Sequence, residues 1–281
     1  MKDPLLIQKA SGELEPFSRA KLESSLKGAG ASDEVIQEVS DHVEKWLHEG
    51  ISTRQIYRKA FDLLRKYTPG TASRYRLKKA LMELGPTGFP FEHFVAQIIK
   101  LQGYEVEVGQ ILQGHCVTHE VDVVATRNHH QFFVECKYYL SPGKNANVQV
   151  PLYIRSRVDD IIRQRRSLPE YKDFAFNGWV VTKTRFTTDA IAYGKCCGLH
   201  LLSWDYPAGN GLKDIIDREK IFPITVLTRL TLAEKHQLME RGIVICRQLI
   251  QQADVLETLG IRPAKMKHVL EEAKNLCSQV F

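Results

Sequence analysis

The stretch from Val121 to Lys137 reads VDVVATRNHHQFFVECK, and it decides how the middle of the chain folds. Two apolar runs flank the polar segment 127–130, which predicts two strands joined by a hairpin turn. Both runs nevertheless contain charges: Asp122 lies in the first, and Glu135 and Lys137 lie in the second. Because burying an unpaired charge is expensive, these side chains either lie on a solvated sheet face or are gathered at a site.

Alternation along the two strands assigns these charges to faces, since successive side chains of a strand point to opposite sides. Glu120 and Asp122 share one face of the first strand, and Glu135 and Lys137 share one face of the second. The hairpin can therefore bring acids from both strands and one lysine together on one face of the sheet.

Such a cluster has a chemical use. Two carboxylates a few ångströms apart repel each other, which favours a divalent cation with oxygen ligands. The cation can polarise a phosphodiester and lower the pKa of a bound water, and a nearby lysine can stabilise charge developing on phosphorus. The other interpretation is a structural acid–lysine pair across a hairpin. The hairpin residues alone leave both interpretations open.

The composition indicates an ordinary globular protein of 281 residues, long enough for two or three domains. The formal net charge of +6 is compatible with a polyanionic partner. None of the six cysteines forms a Cys-x-x-Cys pair, which disfavours a zinc ribbon or a disulfide framework. Without a membrane-span-length apolar run or a signal peptide, we expect a cytoplasmic protein that does not associate with membranes.

The spacing of apolar residues divides the chain into three segments. Residues 1–84 are expected to form a short β-hairpin followed by helices. The segment Gly85–Gly88, with two glycines and a proline, predicts a linker. Residues 86–206 alternate between strand and helix patterns, and residues 212–281 are mostly helical. We therefore expect an α/β multidomain protein whose domains have these bounds.

The central segment is predicted to form a sheet with helices packed on it. The predicted strands are 104–111, 119–126, 131–138, 177–183 and 199–203. Helices are predicted from the apolar spacing around residues 91–99, 154–162 and 190–197.

The motifs of this segment, in their order, resemble the PD-(D/E)xK restriction-endonuclease fold, in particular its Mrr-like branch. They read FEHFVA at 91–96, GYEV at 103–106, HEVDVVA at 119–125 and FFVECKYY at 132–139. The resemblance covers about residues 86–205. It implies a mixed α/β sheet and a DNA endonuclease that uses Mg²⁺ or Mn²⁺.

The resemblance also implies which residues form the active site. The helix acid, the strand acid and the E-x-K pair of the family fall on Glu92, Asp122, Glu135 and Lys137. Asp122 and Glu135 would be the metal ligands. Two positions depart from common patterns: Val121 stands where the proline of the family name would be, and Glu135 stands where many Mrr-like members have glutamine.

The predicted helix after these strands carries several arginines outside its apolar face. We expect Arg163 and Arg166 to contact DNA phosphates, since arginine is a bidentate phosphate ligand. The alternative is a solvated helix face on which Asp159 and Asp160 pair with some of the arginines.

The first segment resembles the ATP-cone, an allosteric nucleotide-binding domain of ribonucleotide reductases and related regulators. The motifs are LIQKASGELEPFSRAKLESSL at 6–26, ISTRQIYRKAFDLL at 51–64 and ASRYRLKKAL at 72–81. The resemblance implies binding of ATP or dATP. Its nucleotide contacts fall on Lys9, Glu15, Lys21, Thr53 and Tyr57. Ala10 and Ser18 depart from the arginine and asparagine that are frequent in the family.

A second reading of this segment stays open. Between Arg54 and Lys79 there are nine lysines and arginines and one acid, Asp62. This excess suits a phosphate chain, but a basic solvated helix that touches nucleic acid, or nothing, would have the same composition. No Walker A glycine loop is present, so hydrolysis of the nucleotide is not expected.

The C-terminal segment, LMERGIVICRQLIQQADVLETLGIRPAKMKHVLEEAKNL, resembles a helix-hairpin-helix arrangement with its hairpin at Leu259–Ile261, and a small packing domain is the alternative. Together the resemblances predict a metal-dependent endonuclease that acts on double-stranded DNA, responds to ATP or dATP and forms a homo-oligomer. Two alternatives are a nucleotide-sensing DNA-binding regulator without catalysis and a nucleotide-responsive assembly module.

Overall fold

A computed structural model describes residues 5–9, 12–139 and 144–278. The chain divides into two compact units. The first comprises residues 1–77 and 226–228, and the second comprises residues 78–225 and 229–281. Within the described ranges, no helix combines the length and apolarity that crossing a membrane requires.

The first unit contains a β-hairpin and a group of helices, as expected. Strands β1 (Leu6–Gln8) and β2 (Leu14–Pro16) pair antiparallel. The helices are α1 (Arg19–Gly28), α2 (Asp33–Trp46), α3 (Thr53–Tyr67) and α4 (Pro69–Tyr75). Ser52 caps α3 and forms a reciprocal capping box with Gln55.

The core of the first unit is built from the predicted helix faces. Its buried side chains recur every three or four residues, so one stripe of each helix faces inward. They include Leu22, Leu26, Val39, Val43, Ile56, Ala60, Leu63 and Leu64.

A five-stranded mixed sheet forms the centre of the second unit. Its strands are β3 (Glu105–Gln113), β4 (Thr118–Arg127), β5 (His130–Lys137), β6 (Ala175–Thr182) and β7 (His200–Leu202). They lie in sequence order; the pairs β3–β4 and β4–β5 are antiparallel, and β5–β6 and β6–β7 are parallel. All five predicted strands are confirmed, with ends that differ by at most two residues.

The remaining helices lie before, between and after these strands in the chain. They are α5 (Leu77–Met82), α6 (Phe89–Leu101), α7 (Gln149–Arg166), α8 (Thr188–Cys196), α9 (Leu212–Glu219), α10 (Leu232–Glu240), α11 (Cys246–Gln251), α12 (Val255–Thr258) and α13 (Pro263–Ser278). Short 3₁₀ turns lie at Pro169–Tyr171 and Ile224–Val226. The predicted turn at Leu259–Ile261 joins α12 to α13, and Gly260 has a φ of 70° there.

The turn between β4 and β5 is a tight two-residue hairpin. Arg127 pairs with His130, and the intervening Asn128 and His129 have φ values of 50° and 60°. Two consecutive left-handed residues match the right-handed twist of the flanking strands, so this turn fixes the register of the hairpin. The register then determines which charged side chains face each other.

Helix α7 packs on the sheet face that carries the charges. Its buried residues Ile154, Val158 and Ile161 belong to one core cluster with Val124 of β4 and Phe133 of β5. Since Val124 and Phe133 share their face with Asp122 and Glu135, α7 also lies close to those acids.

Candidate active site

The register of the β-hairpin brings Asp122 close to the part of β5 that carries Glu135. Val124 pairs with Phe133 and Val123 with Val134, so Asp122 and Glu135 would be the next pair. The backbone pairing ends before them, and Asp122 Oδ2 instead accepts the backbone N–H of Cys136 at 2.6 Å. The first acid is thus fixed by the backbone of the strand that carries the second.

Glu135 is held between two cations. Lys137 Nζ donates to its Oε1 at 2.6 Å, and a guanidinium nitrogen of Arg157 donates to its Oε2 at 2.7 Å. The side chains of Glu135, Lys137 and Arg157 are 12%, 27% and 16% exposed. Such a partly buried, doubly paired carboxylate has little rotational freedom, because both of its oxygens are engaged.

Arg157 is the site residue that the sequence did not assign. It lies on α7, beside the buried Val158, and also donates to the backbone carbonyl of Glu120 on β4. The aromatic ring of Tyr153, one turn earlier, lies 5.4 Å from the centre of its guanidinium. Arg157 therefore ties α7 to both charged strands. The sequence pattern of α7 did not distinguish Arg157 from the other arginines of this helix, because their sequence surroundings are similar.

The acids of the site influence one another electrostatically. Burial, and then the charge of Glu135, raises the pKa of Asp122 to about 7, although the Cys136 N–H acts in the opposite direction. Burial also raises the pKa of Glu92, with further contributions from Glu120 and Glu135. Glu92, Asp122 and Glu135 therefore lie close enough together for the charge of one to disfavour ionisation of another.

Glu92 reaches this cluster from the first turn of α6. A Cβ atom on Gly88 would lie 2.5 Å from Glu92 Oε1, and one on Gly85 would lie 2.0 Å from the hydroxyl oxygen of Tyr138. Tyr138 therefore approaches Gly85 closely, and the Glu92 carboxylate lies close to Gly88. Gly88 leaves space for the carboxylate of Glu92, a role that composition alone did not indicate.

The carboxylates present fit a hard divalent cation such as Mg²⁺ or Mn²⁺. Across the described ranges, no group of three or more histidine, cysteine, aspartate or glutamate side chains is arranged to hold a metal ion. Mg²⁺ does not require one, since one or two protein carboxylates usually suffice and waters and substrate phosphates complete its shell. Burial, and then the charge of Glu135, disfavours the ionised form of Asp122, and a bound cation would favour that form.

Comparison with known proteins agrees with this geometry. Residues 86–205 match a family model described as restriction endonuclease. The central part of the chain is a restriction endonuclease-like domain. Residues 222–277 match a second model, described as AF1548-like, C-terminal. Both ranges lie outside residues 1–84, so the ATP-cone in that segment stays a prediction. The C-terminal region is AF1548-like. Its assignment as a helix-hairpin-helix arrangement also stays a prediction.

Two relatives extend over most of the chain. An uncharacterized protein of Archaeoglobus fulgidus is 28% identical over 183 residues, which are 65% of this chain and 99% of that protein. The crystal structure of AF1548, a protein of unknown function, is 27% identical and has a TM-score of 0.56, covering 69% of this chain and 100% of the other. Neither description names a substrate.

The arginines predicted to contact DNA lie near the C-terminal end of α7. Arg163 and Arg166 are exposed in the last turns of α7 in the restriction endonuclease-like domain. The two acids of α7 have different partners. Asp159 pairs with Arg155, as the alternative interpretation proposed, and Asp160 contacts the β3–β4 turn. Its carboxylate accepts the N–H of Cys116 at 2.9 Å and contacts His119 Nε2 at 2.8 Å, which fixes the β3–β4 turn.

The structure also brings together part of the predicted nucleotide site. Glu15 Oε2 lies 3.1 Å from Lys9 Nζ and 3.2 Å from Lys21 Nζ. A bridge between Gln8 and Ser52 places Thr53 beside the strand that leads into Lys9. Hydrogen bonding to Glu15 raises the pKa of Lys9, and bonding to Lys9 lowers the pKa of Glu15.

Tyr57 contacts an aromatic ring rather than a charge. Its ring stacks on that of Tyr75 with 4.9 Å between the centroids and 12° between the planes. Ala10, one of the two departures from the ATP-cone pattern, lies outside the described residues, and Ser18, the other, is the N-cap of α1.

Proposed function

We propose that the restriction endonuclease-like domain hydrolyses phosphodiester bonds of double-stranded DNA and uses Mg²⁺ or Mn²⁺ bound by Asp122 and Glu135. The observation that carries this proposal is the convergence of Glu92, Asp122, Glu135 and Lys137 from one helix and two strands, with mutual effects on pKa. A structural ion pair needs only one acid and one cation, and this site contains a surplus of acids.

Each side chain has a role that follows from its contacts. The Cys136 N–H fixes the direction of the Asp122 carboxylate, and Lys137 and Arg157 fix that of Glu135. A divalent ion bound by these two acids would polarise the phosphodiester and make a bound water more acidic. Lys137 has three N–H donors, and beyond the one given to Glu135 it can orient the attacking water or stabilise charge on phosphorus.

Glu92 and Arg157 support this arrangement. Glu92 carries a raised pKa, so near neutral pH it is better suited than an ordinary glutamate to exchanging a proton with a water in the site. Arg157 is a positioning residue that keeps Glu135 directed towards the site of chemistry. Arg163 and Arg166, exposed on the same helix, would contact DNA phosphates without reading bases.

We further propose that the first unit binds ATP or dATP and regulates the nuclease by changing the assembly of a homo-oligomer. The supporting observation is the meeting of Lys9 and Lys21 at Glu15, beside the segment that contains Thr53. A triphosphate would replace Glu15 as the partner of both lysines. Regulation requires the nucleotide to favour one arrangement over another, and a change in oligomeric state supplies two such arrangements.

The decisive experiment is cleavage of supercoiled plasmid DNA with Mg²⁺ or Mn²⁺, with and without ATP and dATP. We expect the wild type to cleave and the D122A/E135A variant to lose cleavage while retaining DNA binding. Glu107→Ala, which removes an exposed acid of β3 in the same sheet, is the matched control and should cleave normally. Undiminished cleavage by D122A/E135A would contradict the assignment of this site. DNA binding by a wild type that never cleaves would favour a DNA-binding regulator.

A further inference from the structure

A cavity of about 200 Å³ lies where β6 ends in the second unit. Its lining residues are Lys78, Met82, Asn145, Lys183, Thr184, Arg185 and Trp204. Three of them are cations, and this lining contains no carboxylate. Concave surfaces lined by one sign of charge concentrate ions of the opposite sign, so the cavity is suited to an anion.

Lys183 is the innermost of these cations and is only 1% exposed. Its Nζ donates to the backbone carbonyl of Met82 at 3.0 Å and lies 3.5 Å from the centre of the Tyr138 ring. An ammonium group carries three N–H donors, and these two neighbours are uncharged. Among the described residues, Lys183 thus contacts a carbonyl and an aromatic face, and such a buried cation is stabilised further when an anion enters its cavity.

The surroundings of Lys183 disfavour its charged form. Burial lowers the pKa of Lys183 to about 7, because the ammonium form is poorly solvated there. The charged and titratable groups around it are Lys78 on α5, Arg185 and Asp205 on the segments after β6 and β7, and Tyr138 after β5. Of these, only the carboxylate of Asp205 is anionic near neutral pH, and it is paired with Arg185.

The two outer cations complete the lining. Arg185 is 59% exposed and places its guanidinium 2.7 Å from Asp205. A guanidinium has five N–H donors, so this pairing leaves donors for a second anion. Lys78 lies with its Nζ 5.9 Å from the centre of the Trp204 ring. Partial desolvation, and then the nearby charge of Arg185, lowers the pKa of Lys78, which indicates that the two cations repel across the cavity.

The backbone around the cavity is firmly connected to the sheet and to the site of chemistry. Ala146 N–H donates to the Arg185 carbonyl at 2.8 Å, and Trp204 N–H donates to the Thr184 carbonyl at 3.2 Å. Thr182, which directly precedes Lys183, pairs with Lys137 and donates its hydroxyl to the Lys137 carbonyl at 2.9 Å. The cavity is therefore held in a fixed relation to the proposed catalytic lysine.

We propose that this cavity binds a phosphoryl group through Lys183, Arg185 and Lys78. Pockets for drug-sized ligands measure roughly 300–1,000 Å³, so this smaller cavity fits a phosphate and not a complete nucleotide. The phosphate is either free or the terminal phosphate of a nucleic-acid strand. The second source rests on the proposed nuclease function, since hydrolysis of a phosphodiester leaves a strand with a terminal phosphate, whereas binding of phosphate itself does not depend on cleavage.

The test is calorimetric titration with inorganic phosphate in the presence of EDTA, so that no metal ion contributes. We expect saturable binding to the wild type and at least tenfold weaker binding to K183M and R185Q. Lys79→Gln is the matched control, since Lys79 lies next to Lys78 but outside the lining, and it should bind like the wild type. Because Arg185 is largely exposed, R185Q gives a valid result even if K183M fails to fold. Absence of saturable binding to the wild type, or equal weakening by K79Q and R185Q, would overturn the proposal.

A second arm distinguishes the two sources of phosphate. Fluorescence anisotropy compares strands of one sequence with a 5′-phosphate or a 5′-hydroxyl, again in EDTA. A preference for the phosphorylated strand that R185Q abolishes assigns the cavity to strand ends, and equal binding of both strands assigns it to free phosphate. Phosphate binding by a wild type that cleaves no DNA would contradict the proposed nuclease function and support the cavity as a phosphate site. DNA cleavage without phosphate binding would support the nuclease function and overturn the phosphate site.

Discussion

Both compact units contain a glutamate held by two cations, and the two clusters differ in their burial. In the second unit the cations hold Glu135 at 2.6 and 2.7 Å, and all three side chains are at most 27% exposed. In the first unit Lys9 and Lys21 hold Glu15 at 3.1 and 3.2 Å, and their side chains are 39% and 71% exposed.

This difference in burial decides what similar groups can do. An exposed ion pair contributes little to stability and exchanges partners readily, because water competes for both charges. A buried pair is hard to open, because the remaining charge would be left without a partner. The cluster around Glu135 is therefore suited to holding one geometry, and the cluster around Glu15 is suited to giving up its partner to an incoming phosphate.

The largest effect on stability should come from Asp122, a partly buried acid that accepts the Cys136 N–H and is repelled by the charge of Glu135. Its pKa rises from an ordinary 3.8 to about 7 on folding. Folding stability therefore falls as the pH rises from about 4 to about 7, since a group with a raised folded-state pKa stabilises the fold fully only below its unfolded pKa. Asp122→Asn should be more stable than the wild type at pH 8 by on the order of 3 kcal/mol.

Urea denaturation in EDTA at pH 8 and pH 4 measures this difference, which should nearly vanish at the lower pH. Mg²⁺ should then stabilise the wild type at pH 8 and leave D122N almost unchanged. A variant that is less stable than the wild type at pH 8 would show that Asp122 is not the strained member of the cluster.

The second effect concerns Arg157. Because Arg157 pairs with Glu135 from helix α7, the cluster around Glu135 differs from an ion pair within one hairpin. Arg157→Ala leaves Glu135 with Lys137 alone in a partly buried place, and we expect a loss of about 2 kcal/mol of folding stability. Arg163→Ala, an exposed arginine of the same helix, should change stability by less than about 0.5 kcal/mol. Denaturant unfolding of both variants makes the comparison. Equal effects would mean that Arg157 contributes no more than a surface charge.

The smallest change in folding stability is expected for substitutions in the exposed cluster around Glu15. The same substitutions should strongly weaken nucleotide binding. Lys9→Ala and Lys21→Ala should leave unfolding almost unaffected, because their ion pairs with Glu15 are solvated. Each should weaken ATP or dATP binding roughly ten- to hundredfold, because a charged contact to the triphosphate is lost. Calorimetry measures the binding, and sedimentation with and without nucleotide measures the assembly. Lys27→Ala, on the same helix as Lys21, is the control.

Wild-type protein that binds neither nucleotide would remove the proposed role of the first unit. Binding with unchanged sedimentation and unchanged cleavage would leave a unit that binds nucleotide without regulating the nuclease.

The sequence by itself determined the elements and the face on which the acids lie. Alternation with a period of two placed Asp122 with Glu120, and Glu135 with Lys137, and the polar residues 127–130 located the turn that sets the register. Spacing of three and four residues located the helices of both units. These signals are local: they depend on residues within a few positions of one another, so no knowledge of packing was needed.

Only the tertiary structure decided how those acids are used. Arg157 lies 22 positions after Glu135, and its contact depends on how α7 packs over the sheet. The raised pKa of Asp122 depends on burial, and the close approach of Tyr138 to Gly85 joins segments that are far apart in the sequence. The cavity around Lys183 likewise needs walls from distant segments. Burial and long-range contacts arise only when elements pack together, and no local period in the sequence encodes them.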